Sequence, residues 1–332
     1  MALSKILPAS QEQYAGARNL IINGAFQCWQ RSTSVSSQTG SGYKTTDRWR
    51  TNASGGTYNQ SRQTVPLGDS VVGDFKYFLR HEVTTGDNFT GIQQRIEDVQ
   101  SVPEGTVTLS FYAKGTNPNA GSIAIGTNQY FGTGGSPSSD VEVQNAATFT
   151  VTSSWQRFNF QLTVASISGK TLGTDDNSYF QIQFTQAGTD ASTDAWTLDI
   201  TGVQLEVGEQ ATPFEHRSYG DELARCQRYF ERIGGYDYAA IGNGMQRDTT
   251  QSHTHIYFKV TKRANPTESR SNIITTDRFA FDEGITGVGQ FYSTTYGAQI
   301  QYTHNSVGAQ RRPILISTPS GQTGYVDFDA EL

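Results

Sequence analysis

The feature that most constrains the fold is an alternation of apolar and polar side chains with a period of two residues, which recurs along most of the chain. The apolar sets before residue 190 are Phe75, Tyr77 and Leu79; Val107, Leu109, Phe111 and Ala113; Phe158, Phe160, Leu162 and Val164; and Phe180, Ile182 and Phe184. Each set shares one face of an extended strand. Strands that are apolar on one face belong to antiparallel sheets with a packed and a hydrated side. This number of them predicts a β-sandwich or jelly roll.

The alternation changes parity at Gly202. Its apolar residues are Trp196, Leu198 and Ile200 before that glycine, and Val203, Leu205 and Val207 after it. Because a β-bulge inserts one extra residue into a strand, a bulge at Gly202 would return both sets to the same face. The sequence therefore predicts a bulged strand here.

A helical period replaces the strand period after Pro213, which ends the preceding pattern. Ser218 is placed to cap a helix, and Asp221 stands at the third helical position. The apolar residues that follow are three or four apart and would form one seam, namely Leu223, Cys226, Phe230 and Ile233, before Gly234-Gly235 ends the helix. Because a short helix is not stable alone, its seam must pack against a sandwich or against copies of itself.

The predicted helix separates two stretches of alternating apolar and polar residues, which we assign to two different β domains. Shorter alternating sets follow it, at Ile256, Phe258 and Val260; Phe279 and Phe281; Ala298, Ile300 and Tyr302; Ile314 and Ile316; and Val326, Phe328 and Ala330. We expect an N-terminal arm or docking peptide at 1–17, a jelly roll at 18–212, a linker and helix at 213–235, and a C-terminal β-sandwich at 236–332. The predicted class is all-β: a jelly-roll β-sandwich, one linking α-helix and a small β-sandwich.

Composition limits the classes of partner that the chain is expected to bind. Only 17% of the 332 residues are charged, and the net charge is −6. Without a basic patch, nucleic acid is excluded as the expected partner and an anionic membrane is disfavoured. No apolar run reaches the roughly 20 residues of a membrane span, and no signal-peptide pattern opens the chain, so neither membrane insertion nor classical export is expected. The two cysteines, Cys28 and Cys226, are expected to be buried free thiols.

Six short segments occur in order along the chain, at residues 19–26, 46–49, 202–206, 212–215, 226–231 and 328–332. In this order they resemble a family of bacteriophage tail-fibre and receptor-binding proteins. The resemblance implies a jelly roll like those of carbohydrate-binding modules, then a helix, then a compact β domain. It also implies a homotrimer on a virion that contacts host surface polysaccharide.

The resemblance also assigns roles to particular parts of the chain. It favours symmetry copies as the cover of the helical seam, with Leu223, Cys226, Tyr229, Phe230 and Ile233 at the trimer interface. Other tail or neck proteins of the virion would be bound through residues 1–17. The family's long fibres have an extended N-terminal shaft or anchoring domain, whereas about 17 residues precede the jelly roll here. We therefore expect a short fibre, a tip attached to another protein, or a head or neck decoration.

Exposed aromatic rings are the residues that would bind sugar, because a flat apolar ring covers the apolar face of a pyranose while amides and charged groups bond its hydroxyls. The candidates are Trp29, Tyr130, Phe131, Tyr292 and Tyr296, of which all but Trp29 lie in loop-like surroundings. Trp49, Trp155 and Trp196 are in register with strands and are expected in the core.

Two metal sites are candidates beside the expectation of no cofactor. The resemblance to jelly-roll carbohydrate modules implies a structural calcium ion near Asn23 and Asp199, although two side chains fall short of the six or more oxygens that calcium needs. His253 and His255 lie on one face of a strand with Tyr257 and Lys259, and three such pairs around a trimer axis would supply six nitrogens to a transition metal. In both cases the alternative is that these are ordinary turn or surface residues.

No catalytic motif is present, and the chain is expected to be non-enzymatic. It has no Gly-x-Ser-x-Gly elbow, no His-Glu-x-x-His and no phosphate loop. The acidic pairs Glu97-Asp98 and Asp175-Asp176 are typical of solvated turns. The expected function is glycan recognition by a tail fibre; the alternatives are a structural decoration protein and a polysaccharide depolymerase, whose two carboxylates would come from distant strands.

Overall fold

The computed structural model describes residues 18–85, 89–118, 121–186, 195–277, 282–306 and 312–332. The predicted arm at 1–17 and the predicted strand residues Phe279 and Phe281 lie outside these ranges. The described chain divides into two compact units, Met1–Glu222 with Leu332, and Leu223–Glu331. Both are built from antiparallel strands, so the all-β class is confirmed.

Among its described residues, the first unit contains ten strands and a short 3-10 helix at Val99–Ser101. The strands are β1 Ser34–Gly42, β2 Arg50–Thr64, β3 Tyr77–Thr85, β4 Phe89–Glu97, β5 Gly105–Thr116, β6 Ile123–Tyr130, β7 Val141–Phe149, β8 Gln156–Val164, β9 Tyr179–Gln186 and β10 Trp196–Val207.

These ten strands form the two layers of a jelly-roll sandwich, joined by β2. The first half of β2 pairs with β4, from Arg50 to Ser54, and the second half pairs with β3, from Thr57 to Thr64. One layer therefore runs β7-β6-β9-β4-β2 and the other β2-β3-β10-β5-β8, while β1 pairs with β2. Gly55-Gly56 lies between the two halves, where the strand changes layer.

The core lies between the layers, where the alternation places its apolar faces. Phe111 of β5 contacts Phe184 of β9 edge to face, with ring centroids 5.0 Å apart. Trp49 and Trp196 are buried in this core, and Trp155 is buried as well, as predicted. Phe75 is an exception, because it precedes β3 and packs in a separate cluster with Phe78 and Trp155.

The predicted bulge at Gly202 is confirmed. The register of β10 against β5 shifts between Thr201 and Gln204. Gly202 has φ 62°, and a Cβ there would lie 2.6 Å from the Phe75 ring. Leu198, Ile200, Val203 and Leu205 are therefore all buried despite their opposite parity.

A network of buried polar groups ties the start of the first unit to its end. Arg217 donates to the carbonyl oxygens of Ile21, at 3.0 Å, and Asn19. Its Nη1 lies 3.5 Å from a carboxylate oxygen of Glu222. Glu222 in turn accepts a hydrogen bond from the backbone N–H of Asn23. The segment from residue 19 to 23 is thus held by charged groups almost 200 positions later.

The helix α1 spans Tyr219–Gln227 and begins as predicted. Ser218 Oγ accepts from the Asp221 N–H at 3.2 Å, which caps the helix, and donates to the Asp221 carboxylate at 2.7 Å. No helix among the described residues has the length and apolar character to cross a membrane.

The predicted end of the helix is wrong, and with it the four-residue helical seam. Phe230 and Ile233 lie in a strand, β11 Phe230–Gly234, which pairs with residues 325–329. Pairing with that distant strand outweighs the local helical spacing, and the aromatic Phe230 favours a strand. Cys226 and Tyr229 are also buried, as is Phe230, whereas Leu223 and Ile233 are half-buried. These three side chains are already buried within a single chain. The trimer stays a prediction.

In the part that the structure describes, the second unit consists of the end of α1 and nine strands. Besides β11 they are β12 Ala240–Gln246, β13 Gln251–Tyr257, β14 Thr267–Ser271, β15 Ile274–Thr276, β16 Asp282–Ser293, β17 Gly297–His304, β18 Pro313–Ser317 and β19 Tyr325–Asp329.

Six of these strands close into a barrel in the order β12-β13-β17-β16-β15-β18, and β11-β19-β14 form a small sheet. Phe328 of the small sheet packs on Phe258, with ring centroids 4.8 Å apart, and shares one core with Ile256 and Ile300. The strands predicted as a small sandwich thus form a small sheet packed on a barrel. Closure leaves the barrel without a free strand edge.

Candidate functional site

Three exposed tyrosines gather on one side of the barrel, where β13 lies beside the hairpin of β16 and β17. Tyr257 is 84% exposed, Tyr292 61% and Tyr296 68%. They line a groove of about 290 Å³ together with His255, Ser293, Thr294 and Gln299. Large rings so exposed in one groove are uncommon on a surface that contacts only water.

Strand parity places Tyr257 on the outside. In β13 the residues Ser252, Thr254 and Ile256 are buried toward the barrel interior, so His255 and Tyr257 face outward. The hairpin of β16 and β17 forms the other side of the groove. Its turn is closed by a hydrogen bond from the Thr294 N–H to the Gly297 carbonyl, 2.9 Å. A further bond from the Phe258 N–H to the Tyr296 carbonyl, 3.0 Å, ties that hairpin to the end of β13.

Gly297 keeps the groove open. It pairs with Tyr257 across the strands, so a side chain at this position would stand between the tyrosines. A Cβ there would also lie 2.7 Å from the carbonyl oxygen of Ile256. The absence of a side chain at Gly297 therefore provides both the close approach of the strands and the floor of the groove.

Polar side chains continue the face beyond the tyrosines in cross-strand rows. His255 pairs with Gln299, which pairs with Tyr292; in the next row His253 pairs with Gln301. Among the described residues, neither His255 nor the Gln299 amide has a side-chain hydrogen-bond partner. These groups are free to bond an incoming ligand.

Carboxylates are absent from these rows, which run over Asn243, Met245, His253, His255, Tyr257, Gln290, Tyr292, Gln299 and Gln301. The nearest in sequence is Asp248, in the turn before β13. Its carboxylate accepts from the Thr250 N–H at 2.8 Å, and this bond lowers the pKa of Asp248. Apolar rings beside amides can bind a polyhydroxylated ligand, and these rows lack the pair of carboxylates that glycoside hydrolysis commonly uses.

Of the five predicted sugar-binding aromatics, only Tyr292 and Tyr296 belong to this groove. Phe131 is 1% exposed, so its assignment as an exposed ring is wrong. Tyr130 is half-buried and stacks on Tyr179 with ring centroids 4.7 Å apart. Trp29 is half-buried against the jelly-roll core, and its Nε1 donates to the Phe26 carbonyl at 2.5 Å. Packing within the first unit covers these three rings.

Asn23 and Asp199 are committed to other partners, which contradicts their assignment as calcium ligands. The Asn23 amide donates to the carbonyls of Cys28 and Asp47, at 2.9 and 3.0 Å, and its oxygen accepts from the Cys28 N–H. Both carboxylate oxygens of Asp199 accept from Arg80 at 2.8 Å. The side-chain oxygens that would coordinate calcium are thus already engaged, at Asn23 in a turn and at Asp199 in a bidentate ion pair.

His253 and His255 do share the outer face of β13, as the spacing predicted. Lys259 lies beyond the end of that strand and does not join them. A metal at these histidines stays a prediction.

Sequence reasoning missed Gly297 and Gln299, and it assigned Tyr257 to the histidine face without naming it a sugar-binding ring. The signal for Tyr257 was available, because it alternates with buried Ile256. No comparable signal marks Gly297, since its role depends on the register between two strands.

Comparison with known proteins adds fold-level likenesses. No protein-family model matches the chain, and no curated protein matches its sequence. The N-terminal cellulose-binding domain of a Cellulomonas fimi β-1,4-glucanase is similar at 19% identity, over 40% of this chain and 80% of that one, with a TM-score of 0.28. A xylan-binding domain of Paenibacillus barcinonensis is 18% identical over 54% and 94%, with a TM-score of 0.31.

A phage protein is among the similar structures. The enzymatically active domain of tailspike protein 4 of bacteriophage CBA120 is 13% identical over 57% of this chain, with a TM-score of 0.32. The match covers 21% of that chain, so this protein spans about a fifth of its length. At these identities and scores the likenesses carry no argument about activity.

Proposed function

We propose that this chain is a non-catalytic glycan-binding protein and that the tyrosine groove of the barrel is its binding site. The observation that carries the proposal is the gathering of Tyr257, Tyr292 and Tyr296, all more than half exposed, around the gap at Gly297. Rings held open to water by a closed barrel are preorganised for a ligand with an apolar face.

The spacing suits one saccharide ring between two tyrosines. Tyr257 lies on β13 and Tyr292 on β16, with β17 between them. Strands two positions apart are separated by about 9.5 Å, and Tyr292 lies in the next outward row, about 7 Å further along, so the two Cα atoms are on the order of 12 Å apart. A ring in van der Waals contact with a tyrosine on each side needs two gaps of roughly 3.5–4 Å. The groove volume of about 290 Å³ is at the small end for ligand sites and fits one or two sugar units.

The groups that would bond sugar hydroxyls lie at the edge of this gap. Gln299 offers an amide donor and acceptor, and His255 offers two ring nitrogens. Ser293 and Thr294 add hydroxyls from the hairpin. The ligand would be held by stacking in the middle and by neutral hydrogen bonds at the rim, which favours modest affinity for each chain.

We further propose that the chain works on a virion as a short tail fibre or receptor-binding protein, with host surface polysaccharide as its ligand. The ordered series of tail-fibre-like segments from residue 19 to residue 332 supports this location. Weak sites become effective when several copies are held on one particle, because the second contact is made at high effective concentration. A homotrimer would supply that multivalency.

A glycan array with the intact chain, displayed in several copies on a carrier, tests the proposal. Tyr257→Ala and Tyr292→Ala should each weaken binding by about fivefold to thirtyfold, the value of one or two kcal/mol of stacking. Tyr236→Ala is the matched control, since Tyr236 is 62% exposed in the same unit but outside the groove. Equal losses in all three variants, or no bound glycan, would contradict the proposal.

A further inference from the structure

A guanidinium without an acidic partner lies along the outer face of the barrel, beyond the tyrosine groove. Arg247 is exposed in the turn that joins β12 to β13. Its Nη1 donates to the side-chain oxygens of Gln251, at 3.0 Å, and Gln301, at 3.3 Å. In the part of the chain that the structure describes, Arg247 forms no ion pair.

The amides that hold Arg247 are themselves placed by the sheet. Gln301 is buried and pairs with His253 across β13 and β17. The Gln251 carbonyl accepts from the Arg247 N–H at 2.8 Å, which closes the turn. Neutral oxygens therefore fix one nitrogen of the guanidinium, and no carboxylate oxygen of the described residues lies within ion-pair distance of it.

The neighbouring acid does not contact the guanidinium: the pKa of Asp248 is lowered mainly by the hydrogen bond from the Thr250 N–H and only in small part by the charge of Arg247. Asp248 follows Arg247 in the chain, but its Oδ1 accepts from both the N–H and the hydroxyl of Thr250, at 2.8 and 3.1 Å. No other carboxylate of the described residues lies in the rows in which β13, β17 and β16 pair; Asp282 and Glu283, at the start of β16, pair with β15 instead. The guanidinium of Arg247 and the imidazole rings of His253 and His255 are thus the groups of these rows that face this region.

A second polar atom in the same region lacks a partner. His253 Nε2 is buried and has no hydrogen-bond partner among the described residues. It lies in the row of Gln301, whose side-chain oxygen accepts from Arg247. A buried nitrogen of this kind is normally satisfied by a bonded group, so a hydrogen-bonding ligand atom in this row would complete it.

We infer that the ligand of the tyrosine groove is an acidic glycan whose carboxylate is bound by Arg247 beside His253; this inference rests on the proposed function. A planar guanidinium bonds a carboxylate through two parallel N–H groups, which a single alcohol cannot accept. From Tyr257 to His253 the strand advances four residues, about 13–14 Å. A short oligosaccharide reaches from a ring stacked in the groove to a uronic acid at Arg247.

The test uses acidic oligosaccharides and the same compounds with their carboxylates reduced to primary alcohols. The intact chain should bind the native form of a hexasaccharide that alternates N-acetylhexosamine and uronic acid about tenfold more tightly than the reduced form. In Arg247→Gln the two forms should bind equally, with the affinity for the reduced form unchanged. Arg247→Lys should keep part of the preference, because it keeps the charge but loses the fork.

Controls separate this inference from the proposed function. Arg225→Gln, which removes an exposed arginine of α1, should leave the tenfold ratio intact. The inference is overturned if wild type binds both forms equally, if the ratio persists in Arg247→Gln, or if a sulfated neutral glycan replaces the uronate without loss. Failure of every glycan, native or reduced, to bind would overturn the proposed function and the inference with it.

Discussion

Removing Lys262 should destabilise the second unit by an amount that the structure sets. Lys262 and Glu231 have fully buried side chains, and the Nζ–Oε2 distance is 2.6 Å. Nζ also donates to the Gln227 carbonyl at 2.6 Å. Burial lowers the pKa of Lys262, and the hydrogen bond to Glu231 opposes that shift. The pair is therefore two desolvated charges that depend on each other.

In Lys262→Met the carboxylate of Glu231 would stay buried without its cation. Breaking a buried pair on one side costs about 3–5 kcal/mol, which is a large part of the roughly 5–15 kcal/mol that stabilises a domain. At roughly 4–8 °C for each kcal/mol in a unit of this size, the melting transition should fall by about 20 °C.

The double variant Lys262→Met with Glu231→Leu isolates the cause. An apolar pair of similar volume is often as stable as the ion pair it replaces, so the double variant should recover all but about 1 kcal/mol, the value of the bond to Gln227. Scanning calorimetry on the intact chain measures both. A Lys262→Met loss below 1 kcal/mol, or a double variant no more stable than the single ones, would refute the account of a mutually dependent pair.

Three further predictions concern stability. Burial lowers the pKa of His81 to about 3. Below about pH 6.5 the unfolded chain therefore binds a proton at His81 that the folded chain does not bind. The free energy of unfolding should thus fall by about 2 kcal/mol between pH 7 and pH 5. Chemical unfolding at several pH values checks this, and an unchanged slope in His81→Asn would contradict it. Arg217→Met should lower the stability of the first unit by about 2–4 kcal/mol, because it leaves Glu222 without its cation. Arg225→Met, at an exposed position, should change the stability by less than about 0.5 kcal/mol. Equal effects of the two variants would contradict a stabilising role for the Arg217 network of buried polar groups. Phe230→Asp should unfold the second unit, because it buries a carboxylate among apolar groups; a normal thermal transition with loss of oligomer by mass measurement would instead place Phe230 at an interface between copies.

The strand faces and the Gly202 bulge could be predicted from sequence because they follow from a period of two residues within one strand. The end of α1 could not, because Phe230 pairs with Asp329, which lies 99 positions later. Local spacing suits a helix at Phe230, and only the distant partner decides for a strand. The cap that Ser218 provides is local, and it was predictable.

The candidate site was only partly predictable for the same reason. Tyr292 and Tyr296 stood out as aromatics in loop-like sequence, whereas Phe131 in similar surroundings is buried. The groove exists because Gly297 lies opposite Tyr257, a relation that depends on register between strands 40 residues apart. Likewise, the partners of Asn23 and Asp199 are set by tertiary contacts that spacing does not encode.

The most direct test of the glycan-binding account is fluorine NMR on the intact chain labelled with 3-fluorotyrosine. Resonances are assigned by single Tyr→Phe substitutions, and a glycan bound on the array is then titrated in. The account predicts that Tyr257, Tyr292 and Tyr296 shift together with one dissociation constant, while Tyr236 and Tyr238 do not move. A bound glycan that shifts other tyrosines and leaves those three unchanged would contradict it.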